Sequence, residues 1–274
     1  MTPPSIRVVS LRRLRGGHAA EAEDRVAVEE PLEVRVNGAA FAVVMRTPGQ
    51  DLPLAAGFLL AEDVVREADE IAAIEHCDDV EEEARGNIVN VTVRGDAEAR
   101  LAGRLAERRQ VVTTSACGLC GRRTIESVRA RAADVGGHWQ VTAATVLGLP
   151  GALRASQAAF DATGGLHAAA LCGLDGRVLL SAEDVGRHNA VDKIVGRALL
   201  EGRVPLDRAM LVVSGRSSYE LVQKALLGGV PLVAGVSAPS SLAVDLARES
   251  GITLCGFVRG EGMNIYAHPG RIAG

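Results

Sequence analysis

The sequence predicts an α/β protein: a three-layer α/β/α domain in the C-terminal half, preceded by a smaller α+β domain. Three observations lead there. Short apolar runs at Met210 to Val213, Pro231 to Val236 and Ile252 to Phe257 are separated by helix-length segments. That alternation is typical of parallel strands joined by right-handed crossovers and covered on both faces. Val191, Ile194, Val195, Ala198 and Leu199 recur at the spacing of one buried helix face. Leu32 to Val36 and Ala40 to Met45 flank Asn37-Gly38, a type I′ hairpin signal because both central residues need positive φ.

The remaining elements follow in chain order. Residues 1–25 are charged and aperiodic and read as a flexible N-terminal arm. Residues 26–112 form the small α+β domain, 113–123 a mobile loop, and 124–274 the larger domain. Asp51 is placed to cap a helix, with Pro53 in its first turn and Leu54, Phe58 and Leu59 on one face. The acidic run from Asp78 to Glu83 reads as a solvated loop, Asn87 to Val93 as a strand and Arg100 to Arg109 as a surface helix. Thr124 to Ala133 reads as a helix. Pro150-Gly151 marks a break before another helix, roughly Leu153 to Phe160. His167 to Cys172 and Val178 to Ser181 flank an Asp175-Gly176 turn as a second hairpin, and Met263 to Tyr266 closes the sheet.

Composition narrows the function. A formal charge of -4 and 3% aromatic residues argue against a general nucleic-acid binder. No apolar run reaches the roughly 18–20 residues of a membrane span. Met1 to Gly17 lacks a signal peptide's apolar stretch, so the cytoplasm is the expected location. Five cysteines, an odd number with one close pair, do not suggest a disulfide framework.

That pair is Cys117 and Cys120, set among small residues and followed by Arg122 and Arg123. The C-x-x-C spacing has three uses. Structural zinc needs two further ligands, and no second C-x-x-C exists. A redox dithiol should open a helix after a strand, which Thr124 permits, but the surrounding thioredoxin-like pattern is absent. A nucleophilic thiolate that accepts and passes on sulfur would be favoured by the two arginines. Spacing alone leaves all three open. Cys77, Cys172 and Cys255 read as packed or incidental.

Several polar loops could hold a ligand. Thr163-Gly164-Gly165-Leu166-His167 is either a binding loop or a tight turn with a core histidine. Glu183 to Asn189 packs polar groups between a strand and a helix. Ser214-Gly215-Arg216 and Ser237-Ala238-Pro239 follow predicted parallel strands, and Phe257-Val258-Arg259-Gly260-Glu261-Gly262 follows a third. Ligands of open α/β sheets bind at that edge, and these loops suit an extended anion such as a nucleotide.

Taken in order, Ser115 to Gly121, Thr163 to His167, Glu183 to Asn189, Ser214 to Arg216 and Ser237 to Pro239 resemble the formate dehydrogenase accessory sulfurtransferase family, FdhD. The resemblance runs from about Arg46 to Tyr266. It implies a core like the cytidine deaminase fold and a homodimer. It also implies a sulfurtransferase that takes persulfide sulfur from a cysteine desulfurase. The sulfur passes to the molybdenum cofactor, a bis-molybdopterin guanine dinucleotide bound as substrate, for the formate dehydrogenase catalytic subunit. By position, Cys117 would bear the persulfide and Cys120 accompany it. Phe257 to Gly262 would bind cofactor, with Thr163, Gly164, His167, Ser214, Gly215, Arg216 and Ser237 lining the same site, and Arg216 and Arg259 contacting phosphate. No structural metal and no nucleic-acid or membrane partner is expected. A cofactor-insertion chaperone without sulfur transfer is the alternative. A zinc deaminase needs H-x-E and P-C-x-x-C, but His167-Ala168-Ala169 lacks the glutamate and Ala116 replaces the proline.

Overall fold

A computed structural model describes residues 5–77, 81, 85–108, 135–136 and 139–274. The Cys117–Cys120 loop and the helix expected at 124–133 lie outside the described residues.

The N-terminus corrects the expectation of an arm. β1 (Ile6–Arg15) and β2 (His18–Ala27) form an antiparallel hairpin turning on Gly16 and Gly17, both at positive φ. The charges that obscure its periodicity face each other across the strands, Arg12 opposite Glu21 for example.

β3 (Glu30–Val36), β4 (Ala39–Arg46), β5 (Ile71–His76) and β6 (Ile88–Val93) make a four-stranded sheet in the order β4-β3-β6-β5. Asn37 and Gly38 take φ of 50° and 78°, the pair of positive values a type I′ turn needs. The turn is tied down from β6: Gly38 N donates to Asn90 Oδ1 at 2.9 Å, and Val93 N to Asn37 Oδ1 at 2.9 Å.

Helix α1 (Asp51–Ala61) starts one residue earlier than a capping Asp51 would require. Gln50 is the cap, and the Asp51 carboxylate instead accepts Arg46 Nε at 3.0 Å and Nη2 at 3.2 Å. A fully buried guanidinium has a stronger claim on that carboxylate than helix N–H groups do. Helix α2 (Asp96–Arg108) follows β6.

Beyond residue 139, the two-residue strand β7 (Val141–Thr142) leads into α3 (Ala143–Arg154), which continues through Pro150, against the expectation of a break. Proline removes one helical hydrogen bond. The Thr142 cap, which accepts Thr145 N at 3.1 Å, and the burial of Val146, Leu149 and Leu153 outweigh it. The helix expected from Leu153 to Phe160 is therefore the end of α3 and the start of α4 (Ala158–Thr163).

The large sheet has six strands. β10 (Met210–Val213), β11 (Leu232–Gly235) and β12 (Thr253–Arg259) are parallel. β8 (His167–Cys172) and β13 (Gly262–Ala267) pair antiparallel with β10 and β12, and β9 (Val178–Asp184) pairs antiparallel with β8, giving the order β13-β12-β11-β10-β8-β9. Leu211 and Val213 point to the face that carries α5 (Arg187–Leu200), α6 (Tyr219–Leu227) and α7 (Ser241–Glu249); Met210 and Val212 point to α3. Helices thus cover both faces.

The smaller sheet is not isolated from this core. Leu32, Val34, Val89 and Val91 share one apolar cluster with Val191 and Ile194. The join is α1 crossing α5 at backbone contact. A Cβ on Gly57 would lie 2.0 Å from the Asp192 carbonyl oxygen, and one on Gly196 would lie 2.0 Å from that of Pro53.

Candidate functional site at the strand ends

The parallel strands β10, β11 and β12 all end on one edge, where antiparallel β8 begins. Ser214 N donates to Ala168 O at 3.0 Å, and Ala168 N returns a bond to Ser214 Oγ at 2.9 Å. His167 therefore stands beside the β10 loop, its Nδ1 3.5 Å from Ser214 Oγ. Gly215 presses against it: a Cβ there would meet the imidazole at 3.5 Å and Arg187 Cδ at 3.7 Å. The next loop is tied in, since Ser217 N donates to Ala238 O at 3.2 Å and Ser240 N to Ser217 O at 3.0 Å. Phe257 N donates to Ser237 O at 3.1 Å, bringing the third loop alongside. The sequence-predicted loops do converge.

Their side chains do not all face outward. Val258 is fully buried in the core on the α3 side. Thr163 spends its hydroxyl locally, donating to Ala159 O at 2.8 Å and accepting Gly165 N at 3.3 Å, while Gly164 ends α4 at φ 68°. Arg216, Arg259, Gly260, Glu261 and Gly262 are exposed. Arg259 lies over the Phe257 ring at 5.4 Å.

Arg187, part of the Glu183–Asn189 segment but not singled out in it from sequence, also reaches this edge. It is the first residue of α5, packs beside Gly215, and its Nε is buried without a partner among the described residues. Burial, with Arg187 adding to it, holds the His167 imidazole below its ordinary value, so it is neutral at pH 7. Among the described residues neither α5 nor α6 is capped by a side chain; α7 is, through Ser240 Oγ accepting Ala243 N at 3.3 Å. The two open helix starts lend positive potential to the edge.

Ser218, at the start of α6, pairs its hydroxyl with His188 instead, Oγ lying 3.1 Å from Nε2. Glu220 Oε2 lies 3.3 Å from the same nitrogen. A serine–histidine–acid relay needs both ring nitrogens, so no hydrolase triad is assembled. Burial drives His188 down to about 3, with Lys224, Arg187 and His167 contributing, and drives Glu220 up to about 7 against the pull of Lys224. The contact is thus a hydrogen bond with a neutral ring rather than an ion pair. Beneath it Lys224 bonds both Asp192 oxygens at 2.8 Å. Burial opposes the Lys224 charge, but Asp192 and Glu220 together raise it above its usual range.

One consequence is measurable. The folded Glu220 is raised from an unfolded 4.5, so the native state holds the extra proton between those values and stability falls as pH rises from about 4.5 to 7. Glu220→Gln removes that fall. Its stability relative to wild type is expected to be higher at pH 7.5 than at pH 5, read from urea midpoints at the two pH values. An unchanged difference would refute the assignment.

Of the described cysteines, Cys172 and Cys255 sit in strands β8 and β12, fully buried, and burial pushes both thiols up to about 12. They are packing groups, as expected. Cys77 is half-buried beyond β5. No grouping of metal-binding side chains occurs among the described residues, and none of their helices is long and apolar enough to cross a membrane.

Comparison with known proteins adds to this geometry. Residues 27–273 match the FdhD/NarQ family. The chain is 50% identical over 264 residues to the sulfur carrier protein FdhD of Streptomyces avermitilis, spanning 95% of this chain and 93% of that protein. Identity to the protein of the same name from Mycolicibacterium paratuberculosis is 47% over 276 residues, 97% of this chain and 100% of the other. Among solved structures, one described as a formate dehydrogenase accessory protein from Desulfotalea psychrophila matches with a TM-score of 0.78. It covers 98% of this chain and 100% of that one at 24% identity, a likeness in fold.

Proposed function

The chain belongs to the FdhD/NarQ family, and on that premise we propose that it is a sulfur carrier in the maturation of formate dehydrogenase. Cys117 attacks the outer sulfur of a cysteine desulfurase persulfide; the S–S bond breaks, and the desulfurase thiolate leaves. The Cys120 thiolate then attacks the Cys117 Sγ; the bond to the outer sulfur breaks, a Cys117–Cys120 disulfide closes with the loss of two electrons from the thiols, and the sulfur leaves at the sulfide level for a molybdenum cofactor, a bis-molybdopterin guanine dinucleotide held as substrate. Cys120 accompanies Cys117. The reading makes the protein a cytoplasmic sulfurtransferase and a homodimer, with the desulfurase and the formate dehydrogenase catalytic subunit as partners.

The observation that carries the acceptor half is the strand-end edge. A dinucleotide brings phosphates, and this edge offers, among the described residues, two uncapped helix starts and the buried, unpartnered Arg187 Nε over Gly215. Those groups fit an anion. Arg187 joins Arg216 and Arg259 as a phosphate contact, and neutral His167 is free to accept or donate a hydrogen bond.

Intact-mass measurement after incubation with a cysteine desulfurase and cysteine tests the donor half. Wild type is expected to gain one sulfur atom and Cys117→Ala none. If wild type gains nothing, the insertion-chaperone reading replaces this one. If Cys117→Ala gains as much as wild type, the carrier cysteine is misassigned.

A further inference from the structure

Helices α6 and α7 start in the same way. Residues 214–218 lead from β10 to α6, and residues 236–240 lead from β11 to α7. Each run ends on a serine, Ser218 or Ser240, with nearly the same backbone: φ -82° and ψ 167° against φ -86° and ψ 161°. The runs lie side by side, bridged in parallel at Ser217 and Pro239. A serine in this position ordinarily caps its helix by accepting an N–H two or three residues on. Ser240 does so, its Oγ accepting Ala243 N at 3.3 Å. The equivalent amide of α6 belongs to Leu221, and Ser218 Oγ does not take it.

The difference is His188, in the first turn of α5. Its Nε2 lies 3.1 Å from Ser218 Oγ and 3.3 Å from Glu220 Oε2. These are the two kinds of group that fill a helix start, the cap hydroxyl and the first-turn acid. One imidazole nitrogen reaches both. The ring is held neutral at pH 7 by burial, with Lys224, Arg187 and His167 adding to it, so the arrangement needs no protonation of the imidazole. A cap stabilises a helix start by about five-fold; α6 forgoes that and α7 keeps it.

Two further polar atoms at this corner lack a partner among the described residues. One is the buried Arg187 Nε. The other is Ser217 Oγ, on the residue before the cap, which has no exposed surface. Both can donate. Donors left open beside an open helix start suit an anion.

We infer that His188 is a positioning residue: it draws the Ser218 hydroxyl off the helix and so keeps the first turn of α6 open for a phosphate of the acceptor, an assignment that rests on the strand-end edge being the acceptor site. Glu220 is also approached from below by Lys224, at 3.9 Å, so the hydroxyl is the group that moves when the imidazole is removed.

His188→Leu tests this through two readouts. Ser218 Oγ is expected to turn onto Leu221 N, and hydrogen exchange at the Leu221 amide to slow about five-fold. Guanosine diphosphate serves as the probe for the dinucleotide end of the cofactor. Its affinity, by calorimetry, is expected to fall by about the same factor, because cap and phosphate compete for one N–H group. The double variant His188→Leu, Ser218→Ala has no hydroxyl to cap with and is expected to return both values to those of wild type. A fold merely loosened by the first change would exchange faster, not slower, and a second truncation would not restore it. Unchanged exchange or unchanged affinity in His188→Leu, or a double variant that still binds weakly, would each overturn the inference. Failure of the acceptor reading looks different. Wild type then binds no guanosine diphosphate, which removes the phosphate from the inference, and the exchange result still decides whether His188 withholds the cap.

Discussion

Gly196→Ala is expected to cost about 3 kcal/mol or more and to leave little folded protein. Overpacking a tight core typically costs about 1–3 kcal/mol because neighbours can shift. Here the obstruction is backbone on both sides: the new Cβ would lie 2.0 Å from the Pro53 carbonyl oxygen and 2.4 Å from Gly57 N. Relief requires moving α1 off α5, which opens the apolar cluster shared by Leu54, Leu59, Val191 and Val195. Domain stability is only about 5–15 kcal/mol, so one methyl group removes a large part of it. Gly57→Ala meets the Asp192 carbonyl in the same way. The urea midpoint measures the loss, and Gly148→Ala in α3 is the control, since its Cβ would meet nothing within 4 Å. Equal midpoints for Gly196→Ala and the control would show that the helices are not held at this separation.

Asp184→Asn should destabilise by about 3–5 kcal/mol, the usual result of stripping one partner from a buried ion pair. Asp184 is fully buried and Lys193 nearly so, and they meet at 2.7 Å. The carboxylate also accepts Thr47 N at 3.1 Å, Gly186 N at 2.8 Å and Asn189 Nδ2 at 2.9 Å. An asparagine turns one acceptor into a donor aimed at donors and leaves the Lys193 charge uncompensated. Because Gly186 precedes Arg187, the change also loosens the helix start at the strand-end edge. Replacing Lys193 by Met in the same chain should recover part of the loss, so the double variant is less destabilised than the two singles summed. Strict additivity in chemical denaturation would mean that the pair is not coupled.

These two sites show where local reading of the sequence stops. Thr47 and Asp184 are 137 residues apart, and no periodicity in either segment announces the other. Gly57 and Gly196 look like indifferent helix glycines until the helices cross. Arg187 lies within a legible signal, since Glu183 to Asn189 is a dense polar segment between strand and helix. What picks it from its neighbours is Gly215 against its side chain. The N-terminal hairpin escapes local reading for a related reason. Its charges read as an arm when taken along the chain, and as cross-strand pairs only once β1 faces β2.

The sequence by itself determined the parts whose signals are local: the Asn37-Gly38 turn, the apolar runs of β10, β11 and β12, and the amphipathic face of α5. It also placed the polar loops at strand ends, because a strand followed by a helix dictates which end a loop leaves from. Tertiary structure alone decided which of those loops touch, which side chains remain open and which are absorbed by the fold. Val258 went to the core, Thr163 to its own turn, and Ser218 to His188. The physical reason is that burial and partner choice are properties of contacts between distant segments. Free energy from desolvation, ion pairing and close packing is settled only when those segments meet.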